Sequence, residues 1–252
     1  MSSWSRRRKF TYISIFLLIV AVVIIVPAVM YFYTPPSCFD GKQNGSEKGI
    51  DCGGSCSRLC PSSFLPAYIS WTRLEKVTDE LYNVGSYIIN PNVDAEAVSV
   101  PYHVVVFDSK GVSIAETDGT VTIPPHRNTL AFIRAINVGK QKPSRALFQF
   151  TEPPSWHYRQ DPLASLSILD KKYSEDDSGS SLAVSIKNTS VSMAVGTLSS
   201  YVVLYDKDSN AIGFSRTVID SIAPGQTVIA PYTWPTNRNN EVISIEVLPV
   251  AE

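Results

Sequence analysis

Tyr102-His-Val-Val-Val-Phe107-Asp108 and Tyr201-Val-Val-Leu-Tyr205-Asp206 are the two stretches that decide the fold. Both are rich in β-branched and aromatic residues, both end on Asp, and both run into turn residues, Ser109-Lys110-Gly111 and Asp208-Ser209-Asn210. Their aromatic-Asp endings lie 98 residues apart, as do Asn90-Pro-Asn92 and Asn188-Thr-Ser190 before them. After them, Ile123-Pro-Pro-His126 and Ile222-Ala-Pro-Gly225 lie 99 apart. One order is kept twice: strand, Asn turn, long strand ending aromatic-Asp, short strands, Pro turn, strand. This is an internal duplication.

Around these stretches, from about residue 62 onward, period-two apolar runs alternate with Pro, Gly, Asn and Asp, and no helical period persists. About ninety residues with five to seven short strands per copy is the size of an immunoglobulin-like sandwich. The expected fold is mainly β, with two tandem immunoglobulin-like antiparallel sandwiches at 62–152 and 163–252, joined by a linker at 153–162. Val202-Val-Leu-Tyr-Asp206 resembles the F-x-L-Y-D strand motif of small prokaryotic extracytoplasmic β-sandwich domains, with Val202 at the Phe position, and Val104-Val-Val-Phe-Asp108 is a looser copy. The resemblance implies binding or spacer modules at the cell surface and supplies no catalytic residues. Asp108 and Asp206 are read as structural, their carboxylates accepting hydrogen bonds from the turns that follow.

Ahead of the sandwiches, a basic stub at 1–9 containing Arg6-Arg7-Arg8-Lys9 precedes an uncharged apolar run at 10–33. At 1.5 Å per helical residue that run crosses a hydrocarbon core of ~30 Å. No basic residue follows until Lys42, so the amino terminus is expected in the cytoplasm and the remainder outside a cell membrane crossed once, with membrane lipid around 10–33. Tyr31, Phe32 and Tyr33 would form the outer aromatic belt. Val26-Pro27-Ala28 offers a signal-peptide cleavage site, but the apolar run continues past it, which favours an anchor.

The segment 34–61 holds all four cysteines, Cys38, Cys52, Cys56 and Cys60. Outside a membrane they are expected as two disulfides, with three connectivities open. A zinc site is disfavoured because the spacing lacks a C-x2-C knuckle. Asp40, Asn44, Glu47 and Asp51, spaced by Gly41, Gly45 and Gly49, are candidate oxygen ligands for Ca2+; the competing reading is a solvated turn. As an EF-hand loop the segment fails at its third position, Lys42. It resembles the short DCGG-type repeats, C-x-D-G-x-x-N-G-x-E-x-G-x-D-C-G-G-x-C-x-x-C, of secreted and surface proteins in bacteria and protists, with the last spacing one residue longer.

His103, His126 and His157 are scattered, and no H-E-x-x-H, G-x-S-x-G, Walker or dinucleotide motif occurs. An enzyme is therefore not expected. A net charge of −1 without a basic-aromatic stripe gives no support for nucleic acid. Trp156, Tyr158 and Arg159 have hot-spot composition, and either mark a contact surface or pack at the junction of the two copies. Asn44-Gly-Ser46 and Asn188-Thr-Ser190 are glycosylation sequons. The sequence thus points to a non-catalytic binding or scaffolding protein of the cell envelope, whose partner is another envelope or surface protein. A calcium-dependent surface adhesin or stalk is the alternative.

Overall fold

A computed structural model describes residues 3–32, 35–177, 179–238 and 241–252. Tyr33 of the expected aromatic belt and Ser178 of the acidic loop lie outside the described residues. The chain divides into two compact units, 1–56 and 57–252.

In the first unit, helix α1 (Ser3–Phe32) begins seven residues before the apolar run. Arg7, Arg8 and Lys9 therefore lie on the helix instead of forming a separate stub. Its stretch Arg7–Tyr31, of mean hydropathy 3.2, is long and apolar enough to cross a membrane. Pro27 stands inside the helix, where its ring nitrogen cannot donate to the preceding turn. Val, Ile and Leu line every side of α1, as suits a lipid-facing helix, in which backbone polar groups must pair internally.

In the second unit the duplication is a duplication of topology. The first copy consists of β1 (Tyr68–Lys76), β2 (Leu81–Ile89), β3 (Ala95–Asp108), β4 (Ser113–Ile123), β5 (Thr129–Asn137) and β6 (Pro143–Phe150). A short β7 (His157–Tyr158) follows it. The second copy consists of β8 (Leu166–Asp176), β9 (Gly179–Asn188), β10 (Leu198–Tyr205), β11 (Ala211–Ile219), β12 (Thr227–Trp234) and β13 (Ser244–Ala251). The first copy forms antiparallel sheets β1-β2-β5 and β4-β3-β6, and the second forms β8-β9-β12 and β11-β10-β13. In both, strands one, two and five face strands four, three and six. Inward-facing residues fill a core between each pair of sheets: Val84, Ile88, Val104, Val106, Ile123 and Phe148 in the first, Leu182, Val184, Ile186, Val202, Leu204 and Tyr232 in the second.

A third core joins the two sandwiches. Tyr87 and Leu130, on the outer face of β1-β2-β5, pack with Val203, Phe214 and Leu248, on the outer face of β11-β10-β13. Trp71, Ile89, Phe132, Tyr201 and Tyr205 surround them. Strand β2 is consequently buried on both faces, from Val84 through Ile88, whereas β9 alternates inward and outward. Gly85 is what lets the sheets meet: a Cβ there would lie 3.1 Å from the Phe214 ring. The copies are thus fused face to face rather than strung on a linker.

The segment 153–162 is not a free spacer. Ala95 and Glu96 of β3 pair with β7, and Trp156, 1% exposed, belongs to the first core. Trp156 stacks obliquely on Phe64 at 5.3 Å, and its carbonyl accepts from the Leu59 N–H. Asn92 closes the same corner by exchanging two hydrogen bonds with the Leu65 backbone, both 2.8 Å. The entry to the first sandwich is therefore a packed joint, and Trp156 sits there instead of between the copies.

Candidate binding surfaces and interior charges

The candidate ion loop is organised by hydrogen bonds to its own backbone. Gly41 and Gly45 adopt positive φ (72° and 58°), turning the chain so that amides point inward. The Asp51 carboxylate accepts from the Asp40 and Gly41 N–H groups at 2.9–3.1 Å. Asp40 accepts from the Asn44 side-chain amide (2.7 Å) and the Lys42 N–H (2.9 Å), which hold its carboxyl below the usual range. Glu47 accepts from the Asn44 N–H at 3.1 Å. The four residues expected as ligands thus share one loop, and every oxygen of Asp40 and Asp51 already accepts an N–H. Cys38 and Cys56 are bonded to each other, Cys52 and Cys60 are also in disulfide linkage, and no cysteine is free. Cys38 and Cys56 lie beside Glu47, but disulfide sulfurs are not thiolate ligands.

Asp108 and Asp206 do the same work in both copies. Oδ1 of Asp108 accepts from the N–H of Lys110 and Val112, and Oδ1 of Asp206 from the N–H of Asp208 and Asn210, all at 2.8–2.9 Å. The buried amides of Asn90 and Asn188 are a second matched pair. Asn90 donates to the carbonyls of Ala95 and Pro124, and Asn188 to those of Met193 and Ile222, at 2.7–3.0 Å. Asn188 is fully buried, so its sequon offers no free amide in the folded chain.

Sequence reasoning missed the charges at the seam between the sandwiches. Glu75, on β1, is buried and bonded to Arg238 of the β12–β13 connection, and it also accepts from the Asn83 side chain at 3.2 Å. Burial raises the Glu75 carboxyl above its ordinary value, with Arg238 and Asn83 opposing that rise. Glu246, on β13, accepts from the hydroxyls of Tyr87 (2.7 Å) and Tyr205 (2.9 Å), and burial together with that carboxylate raises both phenols. Arg127 forks onto Asp161 (2.7 Å) and donates to the Leu163 carbonyl, tying the first sandwich to the start of the second. Only the continuous apolar run Tyr201–Tyr205 in β10, which implies burial on both faces, hinted at this seam.

The proposed hot-spot residues separate. Trp156 is core, Arg159 pairs with the buried Glu96 at 2.7 Å, and Tyr158 remains 55% exposed. His103 lies on β3 with Nδ1 2.8 Å from Asp118, His126 occupies the β4–β5 turn, and His157 is on β7. The structure does not gather the histidines into one site.

No family model and no curated protein matches the chain. Among solved structures, the chain is similar to a beta-glucuronidase from glycoside hydrolase family 2 at 11% identity and TM-score 0.21, covering 69% of this chain and 24% of that one. It is also similar to the N-terminal CBM22-1-CBM22-2 tandem domain of Xyn10C from Paenibacillus barcinonensis, at 8% identity and TM-score 0.13 over 74% of this chain and 86% of that one. The chain thus spans about a quarter of the first of these, and at such scores neither likeness bears on function.

Proposed function

We propose that this chain is a membrane-anchored, extracytoplasmic, non-catalytic binding or scaffolding protein of the cell envelope. The observation that carries this reading is how the interior ionisable groups are used. Glu75, Glu96, Asp161 and Glu246 each have a structural partner that holds two parts of the fold together. General acid–base chemistry needs such groups free to exchange protons with a substrate. The basic residues before the apolar span and the disulfides after it support an external location. β4 and β8, edge strands of eleven residues each, supply backbone to which a partner strand could add.

The test is incubation of the full chain, held in nanodiscs, with isolated envelope material, followed by mass spectrometry of bound and released fractions. Saturable retention with the released material unchanged in mass is expected. A covalent change in an envelope polymer, lost on substitution of a single carboxylate of this chain, would contradict the reading.

A further inference from the structure

The duplication assigns a counterpart to every residue of the buried seam. On β11-β10-β13, Tyr201, Val203, Tyr205, Phe214 and Leu248 are covered by β1-β2-β5. The strand registers put His103, Val105, Phe107, Glu116 and Gln149 at the same places on β4-β3-β6 of the first sandwich, and Leu147 where Glu246 stands. Among the described residues of 57–252, His103, Val105 and Phe107 on this second face are half-buried, and Glu116 and Gln149 are exposed. Leu147 is 44% exposed, and the Arg145 guanidinium lies over the Phe107 ring at 4.7 Å. The face has an apolar strip, Val105-Phe107-Leu147, with a cation on β6 and two carboxylates, Glu116 and Asp118, on β4.

Within one chain, the sheet that covers such a face is the first, second and fifth strands of a neighbouring copy. The remaining sheet of that kind, β8-β9-β12, has exchanged its apolar outer residues for Asp170, Lys172, Ser185 and Lys187. Its exposed apolar residues, Leu169 (56%) and Ile229 (69%), stand among these charges, so a head-to-tail contact would have to bury Asp170, Lys172 and Lys187 with them. The β4-β3-β6 face, in contrast, is complementary to itself. A two-fold axis running along β3 lays β6 of one molecule over β4 of the other, which brings each Arg145 toward the opposing Glu116 while the apolar strips meet between them.

We propose that the outer face of β4-β3-β6 docks on the same face of a second copy of this chain, closing an isologous dimer. This goes beyond the proposed binding role and does not depend on its partner.

The experiment is sedimentation of the full chain in density-matched detergent micelles. The unaltered chain is expected to dimerise, and Glu116→Arg and Arg145→Glu are each expected to weaken the dimer about tenfold or more by opposing like charges. An equimolar mixture of the two variants restores both Arg–Glu contacts in the mixed dimer and should recover most of the lost affinity. Leu147→Lys should weaken the dimer without rescue by either variant. A chain that stays monomeric, even where this face takes up a different protein, would overturn the proposal. So would a dimer indifferent to both charge reversals, or a mixture that fails to recover.

Discussion

The outer faces of two equivalent sheets, β1-β2-β5 and β8-β9-β12, share a backbone plan and differ in everything their side chains do. Where the first has Trp71, Tyr87, Ile89, Leu130 and Phe132, the second has Asp170, Ser185, Lys187, Ile229 and Pro231 at matching registers. The first set packs into a third core and the second faces water. Inward residues are alike in the two copies because each sandwich must fill its own interior. Outward residues carry the assembly, so one duplicated unit yields a docking sheet and a solvent sheet. The polar outer face resembles the terminal caps of repeat proteins, which stop a stack from growing.

The largest expected effect lies at the charged rim of that seam. Glu75→Ala strands the Arg238 guanidinium without its counter-charge and should cost about 3–5 kcal/mol in urea unfolding; a loss below about 1 kcal/mol would show that the pair is not sealed between the sandwiches. This rim also has a pH signature. Because the folded-state pKa of Glu75 is raised above the ordinary 4.5, its contribution to stability is fully present below that value and declines as pH rises through the folded pKa. Glu75→Gln should flatten this part of the stability–pH curve, and an unaltered slope would assign it to other groups.

Next comes the aliphatic pair that states the comparison most plainly. Leu130 is fully buried and Ile229, at the same register position, is 69% exposed. Leu130→Ala should cost about 2–5 kcal/mol, while Ile229→Ala should stay within about 0.5 kcal/mol. Equal costs would mean that the two outer faces are not used differently. Asn90→Ala and Asn188→Ala sharpen the comparison from the opposite side, since both serve their own sandwich. Each should cost about 1–3 kcal/mol per stranded carbonyl, and the two should be similar. The smallest effect concerns the cysteine-rich loop. With the Asp40 and Asp51 oxygens already accepting N–H bonds, millimolar calcium or its chelation should leave the melting temperature unchanged. A saturable rise in melting temperature, removed by Asp51→Ala, would instead support the calcium-dependent stalk.

Where a residue's role is local, the sequence disclosed it. Asp108 and Asp206 bond amides two and four positions ahead, and strand alternation requires only neighbours, so the duplication and the two sandwiches were legible. The seam was not, because the apolar run of β10 signals burial on both faces without naming the covering sheet, and Asn83, Gly85 and Ser86 interrupt β2. Trp156 misled for a related reason. Prolines nearby suggested a linker, and only the return of the chain to Leu59 and Phe64, almost a hundred residues earlier, buries the ring. In the acidic loop, the spacing of carboxylates and glycines suits a cation and equally suits a turn whose inward amides need acceptors. Spacing alone does not distinguish these two uses.

Calorimetric unfolding of the full chain in detergent micelles tests most directly whether the two sandwiches are one cooperative body. The third core predicts a single transition for residues 57–252, with calorimetric and van't Hoff enthalpies equal, and Leu130→Ala lowering it as a whole. Two separable transitions, only one of them shifted by Leu130→Ala, would contradict a shared core and return the chain to two independent modules.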